Sequence, residues 1–349
     1  MHAPESPRTA DQLRAALAGL LDGLPPKRAA QAVERLIATY RGDTPTDVPV
    51  LRDRSDVAAY AAYRMPATFE AARAALAAFR LRVPDWSPAR HVDVGGGTGS
   101  ASWAVEATWP TGPAAPRTTL VLDWAEPALT LGGELAREAG SAALRDARWQ
   151  RQTIGAGIAL PDDTDLVTVS YVLGELTAAD RRSVVDEAAR AAQAVVIVEP
   201  GTPDGYLRIR QARDQLIAAG LRVVAPCPHS AECPIEPGND WCHFATRVNR
   251  SSLHRKVKGG ELSYEDEKFS YVAAVRFPAT PAAGRIVRRP QLRKGQVLLE
   301  LCGTDEKLRR ETVTKRHGPL YRAARDAAWG DAWPPEQSAE PGREGAGDA

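Results

Sequence analysis

In the first forty residues, apolar positions recur at three- and four-residue spacing through DQLRAALAGLLDGL and KRAAQAVERLIATY, the period of a helix with one buried face. DVAAYAAYRMPATFEAARAALAAF, over residues ~55–80, keeps that period and predicts a helical stretch interrupted at Pro66, whose ring and missing N–H oppose a helix interior. The pattern then changes. HVDVGGG, TTLVLDW, DLVTVSYVL and AVVIVEP are short, apolar, β-rich runs, and between them lie helical segments such as SASWAVEATW, PALTLGGELAREAG and AADRRSVVDEAARAA. Strand alternating with helix predicts an α/β domain, a doubly wound and mostly parallel sheet covered on both faces. LRVVAP and SYVAAVRF read as two later strands, with residues 227–262 inserted between them. Beyond Pro278, RIVRRPQLRKGQVLLELCG and the stretch to DAAWGDAW predict a small β-rich extension ending in a helix. The expected organisation is a helical region over 1–85, the α/β domain over 86–278, the extension over 279–333 and a tail of disordered composition over 334–349.

At 349 residues the chain can bury a large core, and 44% hydrophobic with 26% charged residues describes an ordinary globular protein. No run of about 18 apolar residues occurs, so no membrane partner is expected. MHAPESPRTADQL has no basic segment leading into an apolar one, so export is not expected and a reducing cytoplasm is. In that setting clustered cysteines are metal-binding or catalytic more often than disulfide-bonded. The net charge of +1 conceals an asymmetry: Trp241 to Leu320 holds 17 Lys+Arg against 8 Asp+Glu, and the remainder 28 against 36. A basic segment of this kind suits a polyanion, RNA being the commonest; a solvated charged face is the alternative.

His91-Val92-Asp93-Val94-Gly95-Gly96-Gly97-Thr98-Gly99 is a strand entering a glycine turn, with a helix behind it. Glycines let the backbone turn tightly and approach a ligand, and the helix start offers free N–H groups. A dinucleotide fingerprint fails at Ser100. The spacing present is D-x-G-x-G-x-G, on Asp93, Gly95, Gly97 and Gly99, and it resembles the first motif of class I S-adenosylmethionine-dependent methyltransferases. The resemblance puts the acid near the methionine portion of the cofactor. Asp123 ends the next strand, where a carboxylate can accept from both ribose hydroxyls. Ser170, Tyr171 and Glu175 follow the fourth strand at the same carboxyl edge. No Asn-Pro-Pro-Tyr type motif and no motif cysteine for attack on a pyrimidine ring is present, so no catalytic residue is named. Methyl transfer can proceed on positioning alone, and that absence leaves catalysis open.

All four cysteines of the chain enter one constellation. Cys227, Cys233 and Cys242 fall within sixteen residues, and Cys302 stands alone in LLELCGTD. Neither the paired C-x2–4-C of zinc sites nor the C-x2-C of ferredoxins occurs, so the spacing indicates a metal centre without choosing the metal. His229 and His243 lie beside the cysteines and could replace one ligand of a zinc site.

The stretch CPHSAECPI…DWCHFATRVNRSSLHRKVKGGELSYEDEKFSYV, together with YRMPATFEA, DVGGGTGSASWA and EPGTPDGY, is similar to the methyltransferase-like assembly-factor family of the mitochondrial small ribosomal subunit and its bacterial relatives, over about Tyr60 to His317. That resemblance implies a class I methyltransferase fold and a 4Fe–4S cluster on Cys227, Cys233, Cys242 and Cys302. It also implies S-adenosylmethionine at the Asp93–Gly99 loop and action on small-subunit ribosomal RNA, with methyltransferase activity an open matter and no DNA expected. No transit peptide is evident, which favours a bacterial-type cytoplasm. The alternatives are a non-catalytic RNA-binding assembly factor on the same scaffold and a zinc-bearing methyltransferase with another substrate. Arg247, Arg250, Arg255, Lys256 and Lys258 are the expected phosphate contacts. Arg285, Arg288, Arg289, Arg293 and Lys294 form a second basic set before Cys302.

Overall fold

The computed structural model describes residues 7–20, 30–31, 33–34, 54–112, 114–251 and 262–335. Of the elements described in full, α1 (Pro7–Gly19) and α2 (Arg54–Arg80) come first, then β1 (Arg90–Val94), α3 (Ser100–Thr108), β2 (Thr118–Asp123), α4 (Glu126–Arg137), α5 (Ala142–Arg145) and β3 (Arg148–Arg151). The chain continues through β4 (Thr164–Ser170), α6 (Ala178–Ala191), β5 (Ala192–Pro200), α7 (Pro203–Ala218), β6 (Arg222–Ala225), β7 (Phe244–Asn249) and β8 (Tyr264–Val275). It closes with β9 (Gly284–Ile286), β10 (Gln291–Arg293), β11 (Gln296–Gly303), β12 (Leu308–Thr314) and α8 (Pro319–Asp326). Local chemistry marks the helix starts. Thr177 accepts from Asp180 N at 3.2 Å ahead of α6, and Thr202 from Gly205 N at 3.1 Å ahead of α7, whose first residue is proline.

The first sheet runs β3-β2-β1-β4-β5-β8-β6, with β7 added to the free end of β8. Its first five strands are parallel, and β8 is antiparallel to both β5 and β6. This order, with one reversed strand near the edge, is that of the class I methyltransferase fold. β5 shows why both faces are covered: Val196 and Val198 pack with α2, α3 and α4, whereas Val195 and Ile197 pack with α6 and α7. A second, four-stranded sheet (β9 to β12) closes its own core of Ile286, Val297, Leu299, Leu301 and Val313 under Ala324 of α8 and Trp333.

Pro66 does not interrupt its helix. α2 is continuous, Met65 and Phe69 on either side of the proline are buried in the main core, and Ala67 is buried as well. The ~3 kcal/mol cost of an interior proline is offset by that burial. The 227–262 stretch is also more than a loop, since β7 within it pairs residue by residue with the first half of β8, from Phe244↔Phe269 to Asn249↔Tyr264. Arg255, Lys256 and Lys258, most of the expected second N-terminal helix and the tail from 336 onward lie outside the described residues.

Candidate functional site

The order of the sheet reverses between β1 and β4, so the crevice at their carboxyl ends is where a ligand of an open α/β sheet lies. The glycine loop fills this position. Gly95 and Gly96 both donate to Leu122 O, at 2.8 and 3.1 Å, which pins the loop to the end of β2. Gly95, Gly97 and Gly99 have φ of +66, +53 and +87°, left-handed backbone that other residues adopt at a cost. The three differ in what a side chain would meet. A Cβ on Gly95 would stand 2.5 Å from Val172 and one on Gly99 2.6 Å from the Trp149 ring, but one on Gly97 meets only Asp123 Oδ2 at 3.8 Å. Gly97 therefore faces the opening.

Asp93 lies beneath the loop and is fully buried. Its Oδ2 accepts from Ser102 N at 3.2 Å and Ser102 Oγ at 2.9 Å, and its Oδ1 from Thr168 Oγ1 at 2.8 Å. With the Thr168 proton used on Asp93, the buried His91 is left to donate from Nε2 to Thr168 Oγ1, at 2.8 Å. Burial pushes Asp93 up to about 6, against the pull of these hydrogen bonds. The carboxylate thus ties β1, β4 and the start of α3 together under the loop. Asp123, at the end of β2, accepts from Gly97 N and Ala125 N, both at 2.8 Å, and its pKa is raised by burial.

Ser170 and Tyr171 stand at the end of β4. Ser170 Oγ is buried without a hydrogen-bond partner among the described residues. Tyr171 has a φ of +61°, unusual for a bulky side chain. Its hydroxyl donates to Glu267 Oε1 at 3.0 Å, and Glu267 is paired with Arg64 at 2.7 Å. Glu175 follows in a 3-10 turn. Desolvation in its concave surroundings, then the neighbouring Asp123 and Glu199 carboxylates, push it up to about 7, although the side chain keeps access to solvent. Trp124, directly after Asp123, is 50% exposed at this edge. It is not among the residues the sequence motifs mark; its one local signal is a tryptophan directly following the strand-end acid.

The second site lies on the far side of β8. Cys227 follows β6, Cys233 and Cys242 lie in the loop before β7, and Cys302 projects from β11 of the other sheet. All four line one cavity of ≈ 40 Å³, walled by Ile209, Ile235, Phe244 and Tyr271. The volume is about that of three water-sized probes, more than one ion fills. Burial, followed by mutual repulsion with Cys227, Cys233 and Cys302, raises Cys242 well above an ordinary thiol, and burial with Cys227 and Cys233 pushes Cys302 up to about 12. Among the described residues, no three Cys, His, Asp or Glu side chains gather closely enough to hold one metal ion.

Buried arginines face this cavity. Arg213 of α7 donates to His229 O at 3.0 Å and Ala231 O at 2.6 Å, and Arg285 of β9 to Pro226 O at 2.9 Å and Gly330 O at 2.7 Å. Each keeps a buried nitrogen without a partner, Arg213 Nε and Arg285 Nη2, as does His229 at Nδ1. His229 Nε2 is 3.6 Å from Cys302 Sγ, and the Tyr206 hydroxyl 3.4 Å from Cys233 Sγ. Two buried arginines with nitrogens to spare beside four thiols suit an anionic, sulfur-rich occupant. Arg213 was not singled out from the sequence, because a lone arginine in a helical run carries no local signal. Arg285 was placed in a surface-basic set, and the fold buries it.

The expected RNA contacts are differently placed. Arg247 lies over the Tyr264 ring at 3.9 Å and donates to Asp266 Oδ1 at 3.2 Å, while Arg250 donates to Glu265 Oε2 at 3.3 Å. The β7–β8 register sets Arg247 opposite Asp266, and Arg250 just beyond β7 reaches Glu265, so these two charges are balanced within the strand pair. Phe269 and Tyr271 are core residues, 3% and 5% exposed.

The human mitochondrial protein "Ribosome assembly protein METTL17" is 30% identical over 310 residues, covering 81% of this chain. That match spans 65% of the human protein, less than two thirds of its length. "Ribosome assembly protein RSM22, mitochondrial" of Saccharomyces cerevisiae is 22% identical over 179 residues, covering 32% of this chain and 28% of that one. Among solved structures, the magnesium protoporphyrin IX methyltransferase of Synechocystis PCC 6803 is 13% identical with a TM-score of 0.39, covering 76% of this chain and 97% of that one. A likeness that low adds nothing to the strand order as evidence of fold. The expected cytoplasmic location is corrected here, because the matching family and these relatives are described as mitochondrial. The family described as "Mitochondrial small ribosomal subunit Rsm22" matches residues 54–334, and the chain belongs to that family.

Proposed function

We propose that this chain is an assembly protein of the small ribosomal subunit, with S-adenosylmethionine at the crevice of its methyltransferase fold and a structural 4Fe–4S cluster in the cysteine cavity. The carrying observation is that three cysteines of the loop between β6 and β7 and one from the second sheet converge on one cavity, where buried arginine nitrogens lack a partner. The donor set fits a cluster better than zinc. A zinc ion needs every ligand within about 2.3 Å, whereas each thiolate of a cluster binds a different iron, so the sulfurs stand apart. Cys227, Cys233, Cys242 and Cys302 would hold it, with Arg213 and Arg285 balancing its charge. When bound it supplies a cross-link between the insertion and the C-terminal sheet. Small-subunit ribosomal RNA is the partner that family membership and the basic Trp241–Leu320 segment support.

The crevice fits the cofactor. Gly97 leaves space for it and Ser170 Oγ is buried without a partner, so that Asp123 would take the ribose hydroxyls and the exposed Trp124 would offer a face to the adenine. Asp93 acts one step removed, by holding the loop through Ser102. Bound S-adenosylmethionine supplies an electrophilic methyl group. Methyl transfer to RNA is a second reading, favoured by Glu175: a carboxyl poised near neutrality at this edge is suited to accept a proton from a nucleophile.

Anaerobic purification with iron, sulfide and zinc analysis tests the cluster. A brown protein absorbing near ~400 nm is expected, and a colourless protein holding one zinc would refute it. Labelled S-adenosylmethionine tests the crevice: binding is expected to be lost in Gly97→Arg, and counts transferred to small-subunit RNA would establish catalysis.

A further inference from the structure

The C-terminal extension, residues 279–333, holds 12 Lys+Arg against 6 Asp+Glu. Within them the fold sets apart one group that is engaged inside the protein and one that is gathered at its surface. Arg285 is buried at the cysteine cavity, and Arg288 is paired with Asp240. Arg309 meets Asp305 at 3.0 Å and Arg310 meets Glu300 at 2.6 Å. Those four arginines are engaged within the protein.

Arg293, Lys294, Lys315 and Arg316 are all exposed, and backbone pairing brings them to one corner. Arg293 faces Gln296 across the β10–β11 hairpin, and Gln296 faces Thr314 across β11–β12. Lys315 N donates to Gly295 O at 3.2 Å, and its Cε stands 4.0 Å from where a Cβ on Gly295 would be. The Lys315 side chain thus lies over the turn that begins at Lys294. The nearest acid on β12, Glu311, is held by Trp333 Nε1 at 3.1 Å. Four like charges brought together in this way repel, and a polyanion offsets that cost.

We propose that this corner docks the phosphate backbone of ribosomal RNA. The inference rests on the small-subunit RNA reading above, and it moves the contact from the β7–β8 strand pair to the outer corner of the second sheet. Exposed cations on a hairpin end meet phosphates without reading bases, so the contact positions the RNA and leaves sequence choice to other surfaces. β11 also links the corner to the cavity: Gln296 begins the strand and Cys302 lies near its end, about 20 Å away at strand rise. A cross-link at Cys302 would fix the orientation of the strand that presents the corner.

The test is a salt titration of the full-length protein binding a small-subunit ribosomal RNA transcript. A triple variant, Lys294→Glu with Lys315→Glu and Arg316→Glu, is compared with wild type; the corresponding glutamine triple serves if reversal impairs folding, as judged by thermal midpoint. Expected are at least a tenfold loss of affinity at about 100 mM salt and a log–log salt slope shallower by about 2–3. Arg247→Gln is expected to change affinity less than about twofold. Wild-type binding with an unchanged slope in both triples overturns the corner. Wild type that fails to bind the transcript overturns the RNA reading itself. Loss of binding to anionic vesicles or an acidic peptide, with RNA affinity kept, overturns RNA as the corner's partner.

Discussion

Gly95 and Gly97 share a left-handed backbone and a motif, and the structure separates their roles. At Gly95 a methyl group would run into Val172 at 2.5 Å, whereas at Gly97 it would enter open space. Gly95→Ala should therefore lower stability by about 2–4 kcal/mol through strain and overlap together, and Gly97→Ala by only about 1 kcal/mol through strain. Cofactor affinity should reverse that ranking per unit of lost stability, which urea unfolding and equilibrium dialysis on the same samples would show. Asp93 makes a pH prediction. Its pKa is raised from 3.8 to about 6 in the fold. The native state thus holds the proton more tightly than the unfolded chain, so this group's contribution is greatest below pH 4. It falls as pH rises from about 4 to 6 and is level above, a total of at most about 3 kcal/mol. Asp93→Asn should flatten that part of the stability curve relative to wild type, and parallel curves would refute the assignment. The sequence marks Asp93 by its place before the glycines; that it faces Ser102 and Thr168 is a fact of packing.

At the scale of elements, β8 connects the two sites. Glu267 holds Tyr171 at the crevice, and three residues on Ser270 Oγ donates to Cys242 O at 2.7 Å beside the cavity. Arg64 of α2 closes the same contact, with the Glu267 pair only 30% and 15% exposed. Glu267→Gln leaves Arg64 short of its partner and should cost about 1–3 kcal/mol, with faster amide exchange over Phe244–Asn249. Asp266→Asn, whose partner Arg247 is 58% exposed, should cost no more than about 0.5 kcal/mol. Equal costs would deny the link its role. The helix period predicted α2 correctly but set a break at Pro66, because the burial around a proline has no local signature. The basic run Arg247–Arg250 and the acidic run Glu265–Glu267 are both plain in the sequence. Their cancellation depends on a strand register that only the folded hairpin sets.

For the whole molecule, the four cysteines meet at a cavity where two units with separate cores come together. The second sheet packs under Trp333 and Ala324, and Cys302 is its donor to the cavity. Metal ligation couples to folding, so Cys302→Ser should abolish any visible absorption and open residues 279–335 to protease while leaving residues 54–225 protected. Cys233→Ser should act likewise. A variant that keeps both absorption and protection would remove Cys302 from the ligand set.

What the sequence determined by itself is local: the periods that build strands and helices, the glycine loop between β1 and α3, and the gathering of three cysteines within a short span. These follow from backbone preference and side-chain alternation, which neighbours along the chain largely decide. What the tertiary structure decided is which charges remain free. Arg285 is drawn into the cysteine cavity, Arg247 and Arg250 are balanced across a hairpin, and Arg293, Lys294, Lys315 and Arg316 stay exposed. The physical reason is that the effect of a charge depends on the groups brought near it, and strand pairing brings together residues that lie far apart in the chain.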